Sequence, residues 1–92
     1  KGVTKDKVNS ALKKYFKNEI FVKIVKTDTL ISTNAVINTN NCIISVCKSK
    51  YQDKLIILSV IDNLIKGGSG QAVQNMNILY NFKENEGLNG KI

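Results

Sequence analysis

CIISVC (Cys42 to Cys47) and LIILSVI (Leu55 to Ile61) are two apolar, β-branched runs on either side of the polar link KSKYQDK. Runs this short and this rich in Ile and Val read as strands. A link of seven residues is too short for a parallel crossover, so the two strands are expected to pair as an antiparallel hairpin. LIILSVI is apolar on both faces, which predicts a central strand with something packed on each side.

Upstream, IFVKIVK (Ile20 to Lys26) reads as a further strand with Ile20, Val22 and Ile24 on one face. The looser TDTLISTNAVINTNN between them is expected to hold one short strand around Ala35 to Ile37. Val8, Ala11, Leu12, Tyr15 and Phe16 fall at the spacing of one amphipathic helical face. Thr4 is placed to cap that helix, Asp6 lies in its first turn, Lys13, Lys14 and Lys17 suit its negative end, and Asn18 can stop it.

Downstream, Asp62 to Lys66 leads into Gly67, Gly68, Ser69 and Gly70, and QAVQNMNILYNF resumes a helical pattern. Ala72, Val73, Met76, Leu79 and Tyr80 fill one arc of it; Gln71, Gln74 and Asn75 share the other with Ile78 and Phe82. A solvated arc in a chain this rich in Lys would carry Lys and Glu, so the helix is expected to be contacted on both sides. The tail KENEGLNGKI reads as a frayed terminus. Together these elements predict an α+β fold, an antiparallel or mixed sheet with flanking helices.

Composition limits what such a chain can do. Ninety-two residues, 42% of them hydrophobic, make one small folded domain. The net charge of +7 comes from fourteen Lys and no Arg, beside twelve Asn and twelve Ile, a coding bias more than a binding pattern. Without the planar Arg fork, and with few aromatics, nucleic acid is not the expected partner. There is no His, which removes His-based metal, acid–base or triad chemistry from these residues, and no metal ligand set is expected. Cys42 and Cys47, five apart in one strand, point to opposite faces and are expected to be reduced core residues. No apolar run approaches the roughly 18 residues of a membrane span, and the start KGVTKDKVNSALKK lacks a signal-peptide core, so a cytoplasmic protein is expected.

KGGSG admits two readings: a backbone cradle for an anion with Lys66 beside it, or a turn returning the chain from strand to helix, with Gly chosen for positive φ. Spacing favours the turn, since neither a dinucleotide fingerprint nor a Walker A loop is present. Gln71, Gln74 and Asn75 could likewise hydrogen-bond a carboxamide or substrate amide, or cap neighbouring strands.

The run SVIDNLIKGGSGQAVQNMN (Ser59 to Asn77) resembles the C-terminal signature of the N-acetyl-gamma-glutamyl-phosphate reductases. FVKIV (Phe21 to Val25), TNNCIISV (Thr39 to Val46) and ENEGL (Glu84 to Leu88) extend the resemblance over most of the chain. It implies an NADP-dependent reductase of arginine biosynthesis that converts N-acetyl-glutamyl 5-phosphate to the semialdehyde, with a Rossmann domain and an α+β domain for substrate binding and dimerisation. On that resemblance residues 1–61 are the end of the substrate-binding and dimerisation domain, and residues 62–92 are the Gly-rich turn and C-terminal helix that returns to the NADP-binding domain. The family's nucleotide fingerprint, catalytic Cys and His have no counterpart in these residues, so the chain by itself is expected to be inactive and to carry no catalytic residue. Asn63, Gly70, Gln71 and Asn75 are the positions expected nearest the nicotinamide of NADP, a cofactor held mainly by the other domain. The implied partners are the rest of the reductase chain, the acyl phosphate substrate and a second copy. An aspartate-semialdehyde dehydrogenase segment is similar in plan but differs in wording from GQAVQNMN, and a small basic binding module needs only the composition.

Overall fold

A computed structural model describes residues 3–90. The first two residues of the KGVTK start and the last two of the KENEGLNGKI tail lie outside the described residues. Helix α1 (Lys5–Tyr15) opens where Thr4, in extended conformation, accepts the Lys7 N–H on its side-chain oxygen at 3.2 Å. It closes on Phe16, two residues before Asn18. Strand β1 (Val22–Ile24) pairs in parallel with β2 (Cys42–Lys48), and β2 pairs antiparallel with β3 (Leu55–Ile61), giving the order β1-β2-β3. The hairpin register runs from Cys42 opposite Ile61 to Lys48 opposite Leu55. A turn with π-helical hydrogen bonding (Ile65–Ser69) then leads directly into helix α2 (Gly70–Leu79). The result is a small mixed α+β sheet with helices.

The central strand is β2, not β3. Ile43, Val46 and Cys47 are buried with Phe21 and Val36, and the hydroxyl of buried Ser45 donates to Thr29 O at 2.6 Å. LIILSVI, expected to be covered on both faces, is the sheet edge, with Ile56 and Ile57 exposed. Its apolar content reflects surfaces that these residues do not cover themselves. The upstream strand is also shorter than IFVKIVK suggested: Ile20 lies outside it and is exposed, while Phe21, from the opposite parity, is buried. Around Ala35 the chain forms a 3₁₀ turn (Thr33–Ala35) instead of a strand, and its burial is concentrated in Val36. That segment belongs to the crossover a parallel β1–β2 pair requires.

Helix α1 lies against β1 and β2, tied by Asn9 Nδ2 donating to Val25 O at 3.0 Å. Its apolar arc is only partly used, since Leu12 and Phe16 are half-buried while Tyr15 is 80% exposed. Asp28 binds the far end of β2: its carboxylate accepts the Lys48 N–H at 2.9 Å and pairs with Lys5. The tail is not frayed over its described part. Asn40 N donates to Asn89 O at 2.7 Å, and Gly90 lies so close to Phe21 that a Cβ there would sit 2.7 Å from the ring. Among the described residues no helix is long and apolar enough to cross a membrane.

Candidate functional site

The site expected from sequence lies where β3 hands over to α2. Asp62 organises the handover: Oδ2 accepts the Asn38 N–H at 2.8 Å and Oδ1 the Leu64 N–H at 2.9 Å. These two backbone donors, Asn38 first, hold its carboxyl below the usual carboxylate range. In the turn, Gly67 N donates to Asp62 O, Ser69 N to Leu64 O and Gly70 N to Ile65 O. Those three donors are spent within the chain, as a turn requires.

None of the turn glycines has a positive φ, contrary to the expectation from sequence. What requires glycine is proximity. A Cβ on Gly70 would sit 2.6 Å from Ile65 Cγ2 and closer still to Ile65 O and Asn40 Oδ1. Gly70 therefore lets the first turn of α2 lie directly on the segment entering β2.

Helix α2 presents amides inward. Its buried residues are Gly70, Gln74 and Asn77, spaced as one helical arc. Gln74 Oε1 accepts from Asn40 Nδ2 at 2.8 Å and from Lys66 Nζ at 2.7 Å, while Nε2 donates to Glu84 Oε2 at 2.6 Å. Asn77 Nδ2 donates to Glu84 O and Glu86 O. Lys66 Nζ stands 5.4 Å over the Phe21 ring. Burial pushes its ammonium below its ordinary pKa, with Cys42, Glu84 and Glu19 opposing. The grouping of Gln74 with Gln71 and Asn75 is thus corrected: Gln74 faces in, while Asn75 is exposed and Gln71 half-buried on the flank outside it. The apolar arc points outward as well, since Ala72, Met76, Leu79 and Tyr80 are exposed and only Val73 is half-buried.

The four residues expected near a nicotinamide are distributed as follows. Gln71 and Asn75 are brought together, Gln71 Nε2 donating to Asn75 Oδ1 at 2.9 Å on the outer arc. Gly70 is buried beneath them. Asn63 is exposed before the turn, against Gly67, and lines a separate cleft of about 380 Å³ with Thr33, Ile37 and Leu64. Sequence reasoning did not single out Asn40, Asn77 or Glu84; the spacing of Gly70, Gln74 and Asn77 was the signal for the inner arc. Cys42 Sγ lies 3.4 Å from Ser59 Oγ and Cys47 is buried, both as free thiols.

Residues 1–63 match the family described as semialdehyde dehydrogenase, dimerisation domain. The chain is 51% identical over 75 residues, 82% of its length, to the N-acetyl-gamma-glutamyl-phosphate reductase of Clostridium botulinum (strain Eklund 17B / Type B), covering 22% of that protein. It is 50% identical over 90% of its length to the reductase of the same name from Karelsulcia muelleri (strain GWSS), covering 24%. Similarity reaches 41% over 95% of the chain with a probable chloroplastic N-acetyl-gamma-glutamyl-phosphate reductase of Oryza sativa subsp. japonica, covering 21% of it. The chain thus spans between a fifth and a quarter of the length of these curated relatives. With its mixed sheet ending in an uncovered apolar edge, the chain belongs to the semialdehyde dehydrogenase dimerisation-domain family.

Proposed function

We propose that this chain is the C-terminal part of a cytoplasmic N-acetyl-gamma-glutamyl-phosphate reductase, which reduces N-acetyl-glutamyl 5-phosphate to the semialdehyde with NADPH. Residues 1–61 form the end of its substrate-binding and dimerisation domain, and residues 62–92 carry the turn and helix that pack on an NADP-binding domain. The observation that carries this reading is the construction of α2. It spends its inner arc on amides and leaves Met76, Ile78 and Leu79 exposed, an arrangement suited to a helix clamped between this sheet and a second domain.

The residues present fit one end of the cofactor. A primary carboxamide offers one acceptor and one two-proton donor, and the Gln71–Asn75 pair retains a free carbonyl-type acceptor and a free amide donor capable of matching it. The turn offers the pyrophosphate little, because the Gly67, Ser69 and Gly70 N–H groups are already bonded. That division agrees with NADP being held mainly by another domain. When bound, the cofactor supplies hydride. The part of this chain is to orient the carboxamide through Gln71 and Asn75, with Gly70 seating the helix and Asn63 in its separate cleft. On this reading the nucleophilic thiolate and the acid–base His lie in residues outside these 92, which hold no His and whose Cys42 and Cys47 sit in the sheet against Ser59 and Ser45.

The test is a comparison of substrates on the enzyme assembled with its nucleotide-binding domain. NADPH consumption with N-acetyl-glutamyl phosphate, and little with aspartyl phosphate, is the expected result. The reverse preference would assign the chain to an aspartate-semialdehyde dehydrogenase. The 92-residue chain alone is expected to show no turnover, and activity abolished by Cys42→Ser would overturn the proposal.

A further inference from the structure

Gln74 joins three segments that are far apart in sequence. Asn40 stands at the entry to β2, Lys66 in the turn and Glu84 in the tail, and all three bond the same side-chain amide. Apolar packing alone cannot set the rotation of α2 about its axis, because Met76, Ile78 and Leu79 face away from the sheet and Val73 is only half-buried. Directional bonds must do so, and those to charged partners are roughly twice as strong as neutral ones. Two of the three Gln74 bonds are of that kind. At about 100° per residue, a rotation by one position would carry Gln71 and Asn75 out of their outward arc.

We propose that Gln74 is a positioning residue: held by Asn40, Lys66 and Glu84, it fixes the rotation of α2 and thereby aims Gln71 and Asn75 at the nicotinamide. This rests on the reductase reading above. The side chain must be an amide, because its oxygen meets two donors while its nitrogen meets a carboxylate. A carboxylate at position 74 would keep the first two bonds and set like charge against Glu84. Converting Glu84 to an amide would restore a donor there.

The experiment uses the complete reductase carrying this segment, as wild type, Gln74→Glu, Glu84→Gln and the double variant. Amide hydrogen exchange over residues 70–79, measured without cofactor, is expected to accelerate about tenfold in Gln74→Glu and to return to within about threefold of wild type in the double variant. KM for NADPH is expected to rise about tenfold in Gln74→Glu, with a smaller change in kcat, and to recover in the double variant. Unchanged exchange in a folded Gln74→Glu would overturn the proposal, as would altered exchange with unchanged KM, or a double variant no better than the single. Should Gln74→Glu not fold, Glu84→Ala, which removes the acceptor from the tail, must show the same two changes at smaller amplitude; their absence overturns the proposal. A wild-type enzyme that does not reduce N-acetyl-glutamyl phosphate would defeat the reductase reading and the nicotinamide aim with it, while exchange would still decide whether Gln74 fixes the helix.

Discussion

Gly70 and Gln71 are adjacent, yet one is sealed under the helix and the other stands on its outer arc. Gly70→Val would drive a side chain into Ile65 and Asn40, and overpacking of this kind costs about 1–3 kcal/mol. The melting temperature should fall by several degrees and turnover of the complete enzyme with it, as followed by thermal unfolding and steady-state rates. Gln71→Ala removes only a surface bond to Asn75, so the melting temperature should barely move, while NADPH affinity falls about tenfold, or about 1.4 kcal/mol. Titration of the two proteins with NADPH checks this, and equal affinities would leave Gln71 without a part in binding. Asp62 supplies a pH dependence. Its pKa is lowered on folding by the Asn38 and Leu64 N–H groups, so its contribution is complete above the unfolded value of about 3.9 and is lost as pH falls through the lower folded value. Asp28, lowered by Lys5 and then by the Lys48 N–H, acts in the same direction. Asp62→Asn should therefore be less stable than wild type at neutral pH, and the gap should narrow as pH drops below about 4, measured by denaturant unfolding across that range.

At the level of elements, the hairpin and the two helices were legible because each shows its own period and α1 its cap. Burial was legible only where the covering surface lies in this chain. LIILSVI signals a strand with two faces to bury, but its apolar count cannot tell a central strand from an edge strand awaiting cover, and Ile56 and Ile57 are the residues that separate the two. In α2 hydrophobic periodicity selected the arc of Met76 and Leu79, whereas Gln74 and Asn77 go inward because Asn40, Lys66, Glu84 and the Glu86 carbonyl satisfy them. Those partners lie up to 34 positions away, beyond any local pattern. The Gly-rich stretch is legible as a turn, but the reason for Gly70 is its close approach to Asn40 and Ile65, which spacing cannot reveal. The outward arc gives an element-scale prediction. Leu79→Ser, at a side chain 75% exposed here, should change the unfolding free energy of the isolated chain, at a dilution where it is monomeric, by no more than about 0.5 kcal/mol. In the complete enzyme, where we place that arc against the second domain, the same change should cost about 2 kcal/mol or more. Equal effects in the two settings would remove α2 from the domain interface.

As a whole the molecule is a thin slab, 45 × 24 × 17 Å, with a radius of gyration of 14.7 Å. A compact chain of this length would have about 12 Å. Its accessible surface is 6730 Å², against about 5,300 Å² for a self-contained protein of its mass. Large apolar side chains such as Leu64, Ile57 and Leu79 are among those left exposed. The isolated chain should therefore self-associate and bind a hydrophobic dye; sedimentation as a monomer at high concentration with no dye binding would count against it. The same slab is closed by its own tail, and this has a consequence for how it is made. Asn40 waits for Asn89 at its backbone and for Gln74 at its side chain, while Gln74 and Asn77 wait for Glu84 and Glu86. Synthesis adds about 5–20 residues per second, so the entry to the central strand stays unfinished for a few seconds after the strand itself has emerged. During that interval the open sheet and the unsealed amides are exposed together. A nascent chain of which only residues up to 62–83 are outside the ribosome would present the hairpin with the Asn40, Gln74 and Asn77 amides unsealed, which makes emergence of the tail the step that seals them.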